Sequence, residues 1–252
     1  SEGSRRLPAP FVIFRAPPRP SRGFVRCVAE SMAAGVAGRG SGTARIALWL
    51  LDKIVGTKME VRGRENLPDG PVLVVAKHQS TWDTFALIPL FSDPAIVLKD
   101  ELKWIPFYGW FCVKFRHILV KRGKAAVALK ALVAEAKDRI AANRQVVIFP
   151  EGTRTAPGAP PDYKPGFVAL YDALGVPTVP VALNSGLFWP RRKLMRYPGT
   201  IVVSFLPAVP PGLPRKFVKE SIERAIESET RRLIDEAQAR QAGTAIFIPL
   251  EK

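Results

Sequence analysis

An α/β fold, with a mixed but largely parallel sheet flanked by helices, is what this sequence predicts. Three observations predict it. Short apolar runs rich in Val and Ile alternate with segments of helical periodicity. Two of those runs, Val72–Val75 and Val146–Phe149, are apolar without a break and read as buried strands. The chain has 252 residues, enough for one large α/β domain with a proper core, and no internal repeat divides it.

Charge bounds the partners. Lys and Arg number 38 against 22 Asp and Glu, a net of +16, so the surface suits anionic lipid, phosphorylated substrates or nucleic acid. Two cysteines, Cys27 and Cys112, are too few for a disulfide framework or a zinc cluster. Two histidines make an imidazole-based metal site a poor expectation, and none is assigned.

Residues 1–43 differ from the remainder. They are rich in Pro, Arg, Gly and Ser, and counting through Arg45 gives eight Arg, no Lys and two Glu. This basic N-terminal segment reads as a transit peptide, a disordered arm on lipid headgroups, or an artefact of the start site. It stands outside the folded unit, 44–252. That unit opens with Ala44-Arg45-Ile46-Ala47-Leu48-Trp49-Leu50-Leu51-Asp52-Lys53-Ile54-Val55-Gly56, the stretch that comes nearest to a membrane-spanning run. Its charges make it too broken to span a bilayer. It suits a helix lying in a membrane interface with Trp49 at headgroup depth, or one packed on the domain.

The elements follow in order. Lys58–Arg62 alternates like an edge strand, and Asn66-Leu67-Pro68-Asp69-Gly70-Pro71 is turn chemistry. A buried strand covers 72–76, and a helix is expected from about Thr81 to Leu90. Ala95–Leu98 is the next strand. The aromatic connector Lys103–Phe111 reads as core in preference to the lining of a pocket. His117–Val120 is a short strand, and a long helix runs over 124–142 with Leu129, Leu132, Val133, Ala136 and Ile140 on one face. Strand 146–149, a helix over 166–174, strands 178–183 and 199–205, and a helix over 215–240 complete the chain.

The chemistry gathers at strand ends, where α/β sheets keep their sites. His78 follows strand 72–76, and Asp83 stands five residues on. On one continuous helix that offset separates two side chains by about 140°. With His78 in the turn and Asp83 in the first helical turn, they can meet. A carboxylate on one imidazole nitrogen fixes the tautomer and leaves the other nitrogen as a base for a hydroxyl. No G-x-S-x-G elbow supplies a serine, so that hydroxyl would belong to a substrate. The competing reading is a histidine and an aspartate that serve only the helix start. Lys121 and Arg122 follow strand 117–120. Glu151, Gly152, Thr153 and Arg154 follow strand 146–149, and Asn184 and Ser185 follow strand 178–183. If these strands are neighbours, Arg122 and Arg154 can clamp a phosphate, with Lys121 as a further charge. The competing reading of Glu151 and Arg154 is an ion pair that holds their own loop. His117 has no carboxylate near it in sequence and reads as structural.

His78-Gln79-Ser80-Thr81-Trp82-Asp83 resembles the H-x-x-x-x-D block of the glycerolipid acyltransferases. Phe149-Pro150-Glu151-Gly152-Thr153-Arg154 resembles their F-P-E-G-T-R block. Ile118-Leu119-Val120-Lys121-Arg122 is similar to the block that ends in a phosphate-binding arginine, and Val179-Pro180-Val181 to the apolar fourth block. Lys77-His78-Gln79-Ser80, Tyr163-Lys164-Pro165-Gly166 and Asn184–Trp189 look most like the bacterial 1-acyl-sn-glycerol-3-phosphate branch of that family. The blocks keep the family's order over roughly residues 45–225.

The resemblance implies acyl transfer from acyl-CoA or acyl carrier protein to the sn-2 hydroxyl of lysophosphatidic acid, with no cofactor beyond that co-substrate. It implies His78 as base and Asp83 as its support. Lys121, Arg122, Glu151, Gly152, Thr153 and Arg154 would form the phosphate subsite, and Val179, Pro180 and Val181 an acyl or donor pocket. It implies an anionic membrane surface as partner, with the protein peripheral or monotopic on the cytoplasmic face of the inner membrane, and no nucleic acid. Backbone N–H groups after His78 are the expected oxyanion donors. Arg116 stands where the family often has glycine. Other acceptors (glycerol-3-phosphate, a lyso-ornithine lipid) and a non-enzymatic basic module that binds membrane or nucleic acid are the alternatives.

Overall fold

The structure, a computed structural model, describes residues 41–106, 108–121, 123 and 125–242. The expected basic arm therefore lies almost wholly outside the described residues, as does Arg122. Helix α1 (Ser41–Val55) leads into strand β1 (Thr57–Arg62). Then come β2 (Val72–Ala76), α2 (Trp82–Ala86), β3 (Pro94–Lys99), α3 (Tyr108–Lys114) and β4 (Ile118–Val120). The second half is α4 (Ala125–Ala141), β5 (Gln145–Ile148), α5 (Gly166–Leu174), β6 (Thr178–Leu183), α6 (Ser185–Phe188), β7 (Gly199–Phe205) and α7 (Arg215–Ala242).

Among the described residues, seven strands form one sheet in the order β1-β7-β6-β2-β5-β3-β4. Only the β6–β7 pair is antiparallel, so the sheet is mixed and largely parallel, as the alternating pattern predicts. The Val-rich β2 lies at the centre and all five of its residues are buried. Alternate residues of β2 feed opposite cores, the geometry of a strand covered on both faces. Val72, Val74 and Ala76 join Ala47, Leu51, Trp82, Phe85 and Cys112 under α1, α2 and α3. Leu73 and Val75 join Leu132, Ala136, Phe167, Ile222 and Leu233 under α4, α5 and α7.

Two expectations need correction. The helix over 81–90 is α2 followed by a separate 3₁₀ turn, Ile88–Leu90. Pro89 has no N–H to continue the α ladder, and the chain closes instead with i→i+3 bonds, Leu90 N–H to Leu87 C=O and Phe91 N–H to Ile88 C=O. The aromatic connector is not plain core. It forms a 3₁₀ turn, Asp100–Trp104, and then α3, which turns Gly109 and Cys112 inward. Trp104 and Trp110 are left exposed, 78% and 54%. The short α6 was also not foreseen, because four residues are too few to show a helical period.

Arg116 adopts a left-handed φ of 50°, a conformation that favours glycine. Its carbonyl accepts hydrogen bonds from Arg139 Nε and Arg144 Nη1 at 2.8 and 3.2 Å, which hold the turn despite the side chain.

Candidate active site

The site is built at the carboxyl end of β2. There the chain leaves the sheet through Lys77 and His78, and α2 begins at Trp82. The Ser80 hydroxyl accepts from Trp82 N–H at 3.1 Å and starts the helix. Asp83, in the first turn, reaches back. Its Oδ2 accepts from the backbone N–H groups of Gln79 and Ser80, each at 2.8 Å, and lies 2.9 Å from His78 Nδ1. A carboxylate acceptor at Nδ1 assigns the proton to that nitrogen, so Nε2 carries the free lone pair. No described residue hydrogen-bonds to Nε2. Asp83 is wholly buried, while the His78 side chain keeps 12% exposure, enough to meet a ligand. Phe149 stacks on the imidazole at 4.1 Å and 22°, covering one ring face.

β5 and β6 flank β2 directly, so the loops after both strands reach this mouth. Thr155 N–H donates to His78 C=O at 2.8 Å and ties the Pro150–Arg154 loop to the histidine. Gly152, at φ 62°, makes the turn a side chain would strain. Arg154 Nη1 donates to Thr81 Oγ1 at 2.6 Å, beside the start of α2. Arg191 donates to Arg154 C=O at 2.9 Å and fixes its backbone. Thr153 is exposed on the same loop.

Glu151 points elsewhere. It does not pair with Arg154, as the loop-holding reading has it. Its Oε1 meets Lys77 Nζ at 2.9 Å, both side chains almost fully buried. Lys77 Nζ also lies 2.6 Å from Glu227 Oε1 on α7, and Tyr163 O–H donates to that same oxygen at 2.9 Å. Burial, with the carboxylates of Glu227 and Glu151 close by, drives the Tyr163 phenol well above its ordinary range, so it remains a donor.

Asn184 is a structural lock: its Oδ1 accepts from Val202 N–H at 2.9 Å and its amide reaches Leu233 C=O at 3.3 Å. Val179, Pro180 and Val181 are wholly buried in β6, with Val179 and Val181 in the core shared with Trp82 and Phe85. Lys121 follows β4, the far edge strand, three places from β2 and roughly 14 Å across the sheet. It therefore stands apart from His78, at the other side of the mouth. The backbone N–H groups of Gln79, Ser80 and Trp82 are already bound by Asp83 and Ser80, so these three cannot serve as oxyanion donors in this arrangement.

His117 is structural, as expected. Its Nδ1 accepts from Ile96 N–H at 3.1 Å, and burial, aided by Arg144 and Arg139, pushes its pKa down to about 4. Sequence reading missed Lys77, Phe149, Thr81 and Arg191 as parts of the site. The first three lie inside the quoted blocks, and that adjacency was the available signal. Arg191 sits in a Pro-Arg-Arg-Lys run that carries none. Among the described residues no cluster of His, Cys, Asp or Glu could hold a metal ion.

An imidazole steadied on one nitrogen and open on the other can take a proton from a hydroxyl and return it to a leaving group. Comparison with known proteins narrows that chemistry. A 1-acyl-sn-glycerol-3-phosphate acyltransferase of Pseudomonas aeruginosa is 40% identical over 66% of this chain and 64% of its own length. One of Saccharomyces cerevisiae is 32% identical over 57% of this chain and 48% of its own. The chain thus spans less than two thirds of these relatives. The crystal structure of the 1-acyl-sn-glycerophosphate (LPA) acyltransferase PlsC from Thermotoga maritima matches with a TM-score of 0.63 at 22% identity, over 84% of this chain and 92% of that one, which establishes the shared fold. The family model described as Acyltransferase matches residues 58–184, half of the chain, from within β1 to just past the end of β6. The chain belongs to the acyltransferase family.

Proposed function

We propose that the chain moves an acyl group from a thioester, on coenzyme A or acyl carrier protein, to the sn-2 hydroxyl of 1-acyl-sn-glycerol-3-phosphate, making phosphatidic acid. The observation that carries this reading is the His78–Asp83 contact at 2.9 Å, with Asp83 held by two backbone donors. The names of the relatives supply the acceptor.

In the proposed reaction His78 Nε2 takes the proton as the acceptor oxygen adds to the thioester carbonyl. Asp83 stabilises the imidazolium that forms, and the stacked Phe149 face favours the same cation. The tetrahedral intermediate collapses, the C–S bond breaks, and the imidazolium returns its proton to the departing sulfur as a thiol. No acyl-enzyme forms, because the nucleophile is the substrate's own hydroxyl.

Arg154 would hold the acceptor phosphate from beside α2, with Gly152 and Thr153 shaping the loop beneath it. Lys121 would approach from the β4 side, and Arg122, next in sequence, would add a second cation to the phosphate subsite. Glu151 supports that loop from within through Lys77. Val179, Pro180 and Val181 would back the acyl subsite as part of its wall. Residues 44–252 act as one acyltransferase domain that uses no cofactor besides the thioester co-substrate. Its partner is an anionic membrane surface, the cytoplasmic face of the inner membrane, which holds the acceptor. No described helix is long and apolar enough to cross a membrane, and α1, with Trp49 58% exposed, suits an interfacial position.

Purified protein, a labelled acyl thioester and three separate acceptors test the reading. Phosphatidic acid from lysophosphatidic acid, at the highest kcat/KM of the three, is expected. A preference for glycerol-3-phosphate or a lyso-ornithine lipid overturns the acceptor assignment, and no transfer to any of them overturns the reaction.

A further inference from the structure

The layer of helices on the α1 side of the sheet carries an unusual load of exposed apolar side chains. α1 packs Ala44, Ala47 and Leu51 inward and presents Ile46, Trp49 and Ile54 outward. The connector packs Leu102, Tyr108, Phe111 and Cys112 on the same core, and presents Trp104, Ile105, Trp110 and Val113 outward. Among the described residues, these seven outnumber the four other large exposed apolar side chains, Val127, Leu194, Met195 and Phe217. Three of the chain's five tryptophans are in this layer and open to solvent.

The connector is built to present them. Its two arms close so tightly that a Cβ on Gly109 would stand 1.7 Å from Lys103 C=O. Gly109 N–H donates to Ile105 C=O at 2.8 Å and seals the contact. Position matters too. β3 runs parallel to β5, and β5 to β2, so the turn after Lys99 emerges at the same end of the sheet as His78.

Charge separates a lipid occupant from a protein one. Lys103 Nζ lies 5.3 Å from the Trp104 ring centroid, and Lys114 Nζ 4.8 Å from that of Trp110. Lys103 also pairs with Asp100 at 2.7 Å. The core of a protein interface is depleted of lysine. Indoles interleaved with ammonium groups match a bilayer interface instead, with rings at headgroup depth and ammonium groups on lipid phosphates.

We propose that the Asp100–Lys114 connector is a second membrane contact, which docks on an anionic bilayer through Trp104, Ile105, Trp110 and Val113 and turns the His78 mouth toward the lipid surface. It rests on the reading that the acceptor resides in a bilayer. With α1 it gives two contacts on one face, and two contacts fix an orientation that one helix leaves free to roll.

Co-sedimentation of the full chain with phosphatidylglycerol-containing vesicles tests it. Trp104→Ala/Trp110→Ala is expected to bind about tenfold more weakly than wild type. Its turnover of vesicle-borne lysophosphatidic acid should fall in step, while turnover of a short-chain, monomeric lysophosphatidic acid stays at the wild-type rate. Lys103→Gln/Lys114→Gln should lose binding to phosphatidylglycerol vesicles and keep the weaker binding to pure phosphatidylcholine. Unchanged vesicle binding by the tryptophan variant overturns the proposal. So does a sedimentation shift from dimer to monomer with vesicle binding intact, which assigns the face to a second copy. Equal loss on the monomeric acceptor also overturns it, since the side chains then serve the fold or the chemistry. If the acyltransferase reading itself fails, wild type transfers nothing to the monomeric acceptor, yet the binding comparison still reads this surface.

Discussion

Three donors converge on one oxygen of Asp83: two backbone N–H groups and His78 Nδ1–H. The carboxylate therefore fixes both the shape of the turn and the tautomer of the ring. His78→Ala removes the base and should lower kcat by roughly 10³-fold, with circular dichroism unchanged, because the ring is not part of the core. Asp83→Asn keeps the turn and loses the charge that steadies the imidazolium. We expect a fall in kcat on the order of 10²–10⁴-fold with acceptor KM within a few fold, measured by steady-state assay. Arg154 behaves differently. Its guanidinium sits at the rim, bonded to Thr81 Oγ1, so Arg154→Ala should raise the KM for lysophosphatidic acid about tenfold or more and leave kcat closer to wild type. An unchanged KM removes Arg154 from the phosphate subsite. The histidine and aspartate were legible in sequence because their geometry is local. The commitment of Gln79 and Ser80 N–H to Asp83 was not, because spacing does not reveal which donors a carboxylate selects.

Strands and helices were legible where composition alone decides them. Val-rich β2 and β5 and the periodic α4 and α7 appear close to where the pattern puts them. Strand order was not, since any order of parallel strands satisfies the same crossovers, and this hid the distance between Lys121 and His78. Lys77 shows the same limit. A lysine at a strand end reads as surface, yet here it is 2% exposed and joins β2, the β5 loop and α7 through Glu151 and Glu227, 74 and 150 residues away. Lys77→Met would leave two carboxylates without their cation, at a cost of about 3–5 kcal/mol. Thermal unfolding should show a large loss of Tm. Lys77→Met/Glu151→Gln should recover part of it, because one stranded charge is gone. No recovery would mean that the two side chains are not coupled.

At the scale of the whole molecule, acid sensitivity follows from a group outside the site. His117 is buried, and desolvation together with Arg144 and Arg139 lowers its pKa to about 4 from an ordinary 6.5. The native state holds it neutral, whereas the unfolded chain protonates it as pH drops through 6.5. Between those values the unfolded state binds more protons, so the contribution of His117 to stability falls as pH falls from about 6.5 to about 4 and levels off below. A shift of that size corresponds to roughly 3 kcal/mol. The neutral ring matters because Nδ1 accepts from Ile96 N–H, a bond that joins the start of β4 to β3. His117→Asn keeps an acceptor and removes the titration. Its Tm should be lower than wild type at neutral pH through lost packing, with a flatter decline between pH 6.5 and 4. Parallel Tm profiles for the two proteins over that window would place the acid-sensitive step elsewhere. This edge matters for function as well, since Lys121 follows β4 and the aromatic connector leaves β3.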